Sequence, residues 1–146
     1  MLNLKKKQEK SKRMSKKFYW IKLKTDFFNL DEIDFLLSQK NGCEYVVLYQ
    51  MLCLQVANTN GKLQKQFGEI IVPFDIDKIQ RETKYFDFDT IAVALELYKK
   101  LGLVYQDENG TLTISHYEEL VGSETQWAID KRKAREIKKL KGGTEI

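Results

Sequence analysis

The residues best able to do chemistry in this sequence are two pairs of carboxylates, Asp75/Asp77 and Asp87/Asp89, each pair split by one residue. A metal-dependent nuclease would need such pairs, because a divalent cation collects oxygen ligands from closely set carboxylates. Both pairs, however, stand where apolar spacing predicts a helix to begin. There a carboxylate accepts a free backbone N–H and complements the positive end of the helix dipole, so capping accounts for them without a metal. His116 is the single histidine, and Cys43 and Cys53 are the only cysteines, both in one predicted helix. At about 100° per residue the two thiols point to different faces and lie roughly 15 Å apart along the axis, too far for a disulfide with each other. With one histidine there is no ligand set for zinc, and both cysteines are expected to be buried thiols. No glycine-rich phosphate loop or nucleophile elbow is present. The expectation is a protein that is not an enzyme and uses no cofactor or metal.

What remains is charge, and it is segregated. Residues 1–17 hold eight Lys/Arg against Glu9, a net +7, residues 18–129 carry a net −7, and residues 130–141 a net +5, within an overall +4. An acidic middle with two basic arms favours a polyanion as partner of the arms rather than of the whole surface. The bland alternative is that the arms only solubilise the chain, and "MSKK" from Met14 reads as an alternative natural start. In the tail, Lys131, Arg132, Lys133, Arg135, Lys138 and Lys139 are expected to wrap most of a helix that folds on a polyanion, with Trp127 and Ile129 anchoring its start. Lys78, Arg81 and Lys84 recur every three residues opposite Ile76 and Ile79, a ridge suited to phosphates. On the next helix, Thr90, Lys99 and Lys100 are expected on the exposed side, but in company with Asp87, Val93 and Glu96. A carboxylate repels phosphate and can accept only from a base-edge donor such as cytosine N4, so that helix is a poor major-groove surface.

The elements that must hold these groups follow from apolar spacing. With 146 residues, 42% of them hydrophobic and 32% charged, the chain can bury one core. No apolar run approaches the roughly 18 residues of a membrane span, and the basic N-terminus lacks the apolar stretch of a signal peptide, so a cytosolic protein with no membrane partner is expected. "FYWIKLK" alternates like a short strand, and "NLDEIDFLLSQ" follows as a short helix. "NGCEYVVLYQMLCLQVANTNG" starts at Asn41 as N-cap and is apolar on nearly every face, so it is either fully covered or leaves one face for a second subunit. "GKLQKQFGEIIVPFD" suggests an irregular or edge strand pair. Asp75 opens one helix, and Asp87 or Asp89 opens another with Ile91, Ala94, Leu95 and Tyr98 in a stripe that Gly102 ends. "LVYQ" and "TLTIS" form a hairpin across Asp107-Glu108-Asn109-Gly110. A basic helix runs from Thr125 to Lys141, with Gly142-Gly143 ending it.

Helix, strand, helix, short turn, helix, hairpin is the plan of a winged helix-turn-helix. The expected class is α+β, mainly α, with a small hairpin wing and an extra N-terminal strand and helix. The expected parts are a basic arm (1–17), a winged-helix domain (18–120) and a basic helical tail (121–146). The wing tip carries Asp107 and Glu108, which should avoid phosphate and so serve folding or a protein contact.

"FYWIKLKTDFFN", "NGCEYVVLYQMLCLQVANTNGKL", "FDFDTIAVALELYKKLGLV" and "GSETQWAIDKRKAREIKK" together resemble the N-terminal domain of phage replisome organiser proteins, a domain similar in plan to the winged-helix domain of the DnaD primosomal proteins. The resemblance covers about residues 15–140. It implies binding to DNA at a phage origin, self-association into a dimer or larger oligomer, and recruitment of the host helicase or its loading proteins. Longer members carry a second region after the basic helix, and since this chain stops at Ile146 the helicase-recruiting part is expected to be missing from it. Two other readings stand beside it: an interaction adaptor whose domain never touches DNA, and a winged-helix transcriptional repressor.

Overall fold

The computed structural model describes residues 17–143. The basic N-terminal arm, Lys17 apart, therefore lies outside the described residues. In chain order the elements are β1 (Lys17–Ile21), a 3-10 turn (Phe27–Asn29), α1 (Asp31–Leu37), α2 (Gly42–Gln55), β2 (Gln64–Phe67), β3 (Ile70–Pro73), α3 (Ile76–Thr83), α4 (Phe88–Lys100), β4 (Val104–Gln106), β5 (Leu112–Ile114), α5 (Tyr117–Leu120), β6 (Val121–Thr125) and α6 (Gln126–Gly143). The architecture is α+β and mainly helical, with small antiparallel hairpins. Two compact units result, residues 21–122 and residues 17–20 with 123–143.

The larger unit is built on α2 and α4. Its core gathers Tyr45, Leu48, Tyr49 and Leu52 from α2 and Ile91, Ala94, Leu95 and Tyr98 from α4, each at helical spacing. Tyr98 is fully buried, so its hydroxyl must find a partner. It donates to the Tyr45 carbonyl at the start of α2, and its ring lies 5.6 Å from that of Tyr49. Burying a side chain of this kind contributes roughly 1.5 to 3 kcal/mol. α1 packs on α2, and Gly42 makes the join: a Cβ there would lie against the carbonyl oxygens of Leu36 and Leu37. Asn41 occupies the N-cap position of α2 without a side-chain hydrogen bond to it.

α2 ends at Gln55 rather than running on toward Asn60, and both Asn60 and Gly61 take positive φ in the turn beyond it. That turn delivers residues 61–63 alongside β5. The Leu63 N–H donates to the Leu112 carbonyl and the Ile114 N–H to the Gly61 carbonyl, both at 2.8 Å, so the turn is tied to the two-stranded β4–β5 hairpin by a single bridge, Lys62 opposite Thr113. One face of α2 stays open, where Val47 and Leu54 are exposed. Cys43 lies on the surface too, which corrects the expectation of two buried thiols: only Cys53 is buried. An all-apolar helix carries no periodicity to say which face remains uncovered. Burial pushes the Cys53 thiol up to about 11.

In the smaller unit β1 pairs with β6, and α6 continues from the end of β6. The Thr125 hydroxyl accepts from the Ala128 N–H at 3.1 Å, satisfying one of the free donors of the α6 first turn. The helix runs on through Gly142 to Gly143.

Candidate nucleic-acid interface

Helical geometry sorts the cations of α6. Lys131, Arg132, Arg135, Lys138 and Lys139 fall within an arc of about 120°, while Lys133 lies on the other side with Ile129, Ile137 and Leu140. The six therefore do not wrap the helix evenly. Two are already engaged: Arg132 places one guanidinium nitrogen 2.7 and 3.0 Å from the Glu124 carboxylate oxygens, and the Lys131 ammonium sits 4.3 Å from the centre of the Trp127 ring. Trp127 is 61% exposed, so it serves as a platform for Lys131 and not as the buried anchor expected of it. Arg135, Lys138 and Lys139 are exposed on the same arc, with no ion-pair partner among the described residues. Such an arc can meet a phosphate backbone along one side.

The ridge on α3 is positioned by Asp75, whose Oδ1 accepts from the Lys78 N–H at 2.8 Å. Lys78 reaches Glu82 at 2.5 Å and lies 5.7 Å from the Phe74 ring centre. A hydrogen bond from Lys78, and then the charges of Lys78, Lys65 and Arg81, hold the Glu82 carboxyl below its usual range. Lys84 caps the helix in the left-handed region, φ 71°, followed by Tyr85, which is 80% exposed. The sequence reading missed the other wall of this site. In the β2–β3 hairpin Lys65 pairs with Val72 and Phe67 with Ile70 across the Gly68-Glu69 turn, so the period of two puts all four on one face. Lys65, Phe67 and Val72 there line a groove of about 270 Å³ with Lys78 and Arg81. An aromatic wall beside Lys65 and Arg81, with Lys78 paired to Glu82 and the capping Asp75 also in the lining, can hold an anion that also offers a flat or apolar surface. The signal for it was present, as two apolar stretches around Gly68, but only the register assigns the face.

α4 departs from expectation at Thr90, which is buried. Its N–H donates to Asp87 Oδ1 at 2.8 Å, and hydrogen bonds from its side chain and backbone hold the Asp87 carboxyl below the usual range. Thr90 is thus part of the helix cap and cannot reach a ligand. Lys99 lies 3.4 Å from Glu96, and Lys100 is exposed. Both acidic pairs stand at helix starts, Asp75 and Asp87 as capping acceptors and Asp77 and Asp89 in the first turns. In the β4–β5 turn Asp107 Oδ1 accepts from the Asn109 and Thr111 N–H groups at 2.9 and 3.0 Å, so this carboxylate fixes the turn. Glu108 is exposed beside it.

Among the described residues, no helix is long and apolar enough to cross a membrane. Comparison with known families matches residues 20–142 to one described as the N-terminal phage replisome organiser. Neither the curated proteins nor the solved structures gave a match.

Proposed function

The chain belongs to the N-terminal phage replisome organiser family, with a role connected to phage DNA replication, and from that premise we propose that it is a DNA-binding replication-initiation module that self-associates. The observation that carries DNA binding is the exposed one-sided arc of Arg135, Lys138 and Lys139 on α6, in a chain whose middle is acidic. Lys78, Arg81 and Lys84, with Lys65 opposite, form a second basic surface. We read α2, α3 and α4 with the β4–β5 hairpin as a winged helix-turn-helix. In support, α3 and α4 pack together across the short turn 84–87, and the hairpin packs behind α4. Self-association is supported by the open side of α2, where Val47 and Leu54 are exposed one above the other. Several copies would place several α6 helices on one DNA, turning weak phosphate contacts into avidity. Replication proteins of the host, the helicase or its loaders, are the protein partners this reading carries.

A second reading is favoured by one observation. Asp89 and Glu96 lie exposed on the side of α4 opposite its buried stripe, the side that a winged helix would turn toward DNA, which suits an interaction adaptor better than a base reader. The transcriptional repressor fits least, since it needs that helix in the major groove. The test is binding of the full chain to labelled duplex and single-stranded DNA at low salt, beside a variant with Arg135, Lys138 and Lys139 changed to glutamine. Binding by the natural chain and a loss of at least tenfold in the variant support the DNA reading. Absence of binding on either DNA form refutes it and leaves the adaptor.

A further inference from the structure

We propose that the groove between the start of α3, α4 and the β4–β5 turn receives the apolar edge of α6 from a second copy of the chain, a contact that rests on the self-association proposed above. The groove has a volume of about 430 Å³, and its floor is apolar, made by Phe74, Ile76, Phe88, Ala92 and Leu95. Phe88 is 45% exposed there, an aromatic ring left open to water. Asp77 and Glu96 also line it, and the turn that supplies Gly110 to its wall carries Asp107 and Glu108. The one cation of the lining, Lys99, is 3.4 Å from Glu96. This rim repels phosphate, and the floor is too apolar for a solvated surface. What fits is an apolar segment that brings cations with it.

α6 is such a segment. Ile137 and Leu140 are 56% and 73% exposed, and Ile129 and Lys133 fall on the same side of the helix. The charges match as well: residues 18–129 sum to −7 and residues 130–141 to +5. Seating Ile137 and Leu140 on the floor brings Lys133 toward Asp77 and Glu96. Lys131, Arg135 and Lys138, on the opposite side of the helix, then face away from the groove and remain open to DNA. The occupant is assigned to a second copy because the self-association proposed above supplies one, with α6 and the groove of complementary charge. The contact joins two different surfaces, so copies can exchange α6 in pairs or add in a row.

The experiment places the photo-cross-linker p-benzoylphenylalanine at Ile137 of the full chain, mixes isotopically heavy and light preparations, irradiates, and maps the cross-links by mass spectrometry, with sedimentation velocity alongside. The expected result is heavy–light cross-links to residues 74–77 and 88–96. Their yield should fall at least tenfold in Asp77→Arg/Glu96→Arg, a variant whose helicity is checked by circular dichroism. Leu140→Asp, in the chain with Ile137 intact, should weaken association at least tenfold. Groove cross-links found only within one isotope form place α6 in its own chain and overturn the second-copy assignment. Heavy–light cross-links confined to other surfaces, or groove cross-links undiminished by the charge reversals, overturn the contact while self-association stands. A protein that sediments as a monomer at every concentration overturns both.

Discussion

Changing Arg135, Lys138 and Lys139 to glutamine tests whether α6 meets DNA along one side. Glutamine has nearly the helix propensity of lysine and arginine, so the helix should survive the change. Of the six cations, Arg132 is held by Glu124, Lys131 rests on Trp127, and Lys133 lies on the far side of the helix, which leaves these three for phosphate. Each phosphate neutralised contributes about 0.9 to the slope of log K against log salt, so the triple variant should lose about 2.7 from the slope. Between 50 and 200 mM salt that difference amounts to roughly 40-fold in affinity. The assay is fluorescence anisotropy of a labelled duplex across a salt series, at chain concentrations below self-association so that avidity does not enter, with Lys133→Gln as control. An unchanged slope in the triple variant refutes the contact. A loss in Lys133→Gln as large as the average over the three refutes the one-sided geometry even if DNA binding stands.

Gly42→Ala sets a methyl against the carbonyls of Leu36 and Leu37 and should destabilise the fold by about 1 to 3 kcal/mol in urea titration. A thiol reagent at pH 8 should modify one cysteine per native chain, the exposed Cys43, and two in denaturant. Because burial raises Cys53 to about 11 from an ordinary value of 9.0, the unfolded chain releases that proton first as pH rises. The associated stability is complete below about pH 9 and is lost between 9 and 11, and Cys53→Val should remove that part of the alkaline decline in chemical denaturation. Asp107→Ala should lower the melting temperature by loosening the β4–β5 turn, whereas Glu108→Ser should leave it unchanged, and neither should weaken DNA binding in the anisotropy assay.

Local rules made much of this fold legible. Asp75 and Asp87 cap the helices they were expected to start, the Ile91 to Tyr98 stripe faces the core, and Gly102 leaves α4 with φ 76°. Each is decided within four residues of chain, where hydrogen bonding and spacing suffice. What escaped depends on distant partners. The face of the β2–β3 hairpin needs the pairing of Phe67 with Ile70, β6 needs β1, and the exposure of Cys43 and Val47 depends on what fails to cover α2. Thr90 escaped for another reason. Placing it opposite the apolar stripe ignored that a residue three after the cap turns its side chain back to Asp87. The cations of α3 and α6 were readable as charge, but their availability was not, since Glu82, Glu124 and Trp127 each engage one of them.

The distribution of carboxylates gives the charge segregation its sense. On α3 and α4 Asp75 and Asp87 are engaged in capping, Asp77 and Asp89 stand in first turns where the helix dipole favours them, and Asp107 fixes its turn. Capping does not require the neighbouring Glu96 and Glu108 to be acidic as well, and both are exposed. With Asp89 they leave exposed carboxylates on the domain at α4 and the β4–β5 turn, poorly suited to meeting phosphate. On the reading proposed above, attraction comes from the one-sided arc of α6 and from the Lys78, Arg81 and Lys65 surface of α3 and the β2–β3 hairpin. The carboxylates beside α4 are then left to meet protein rather than phosphate.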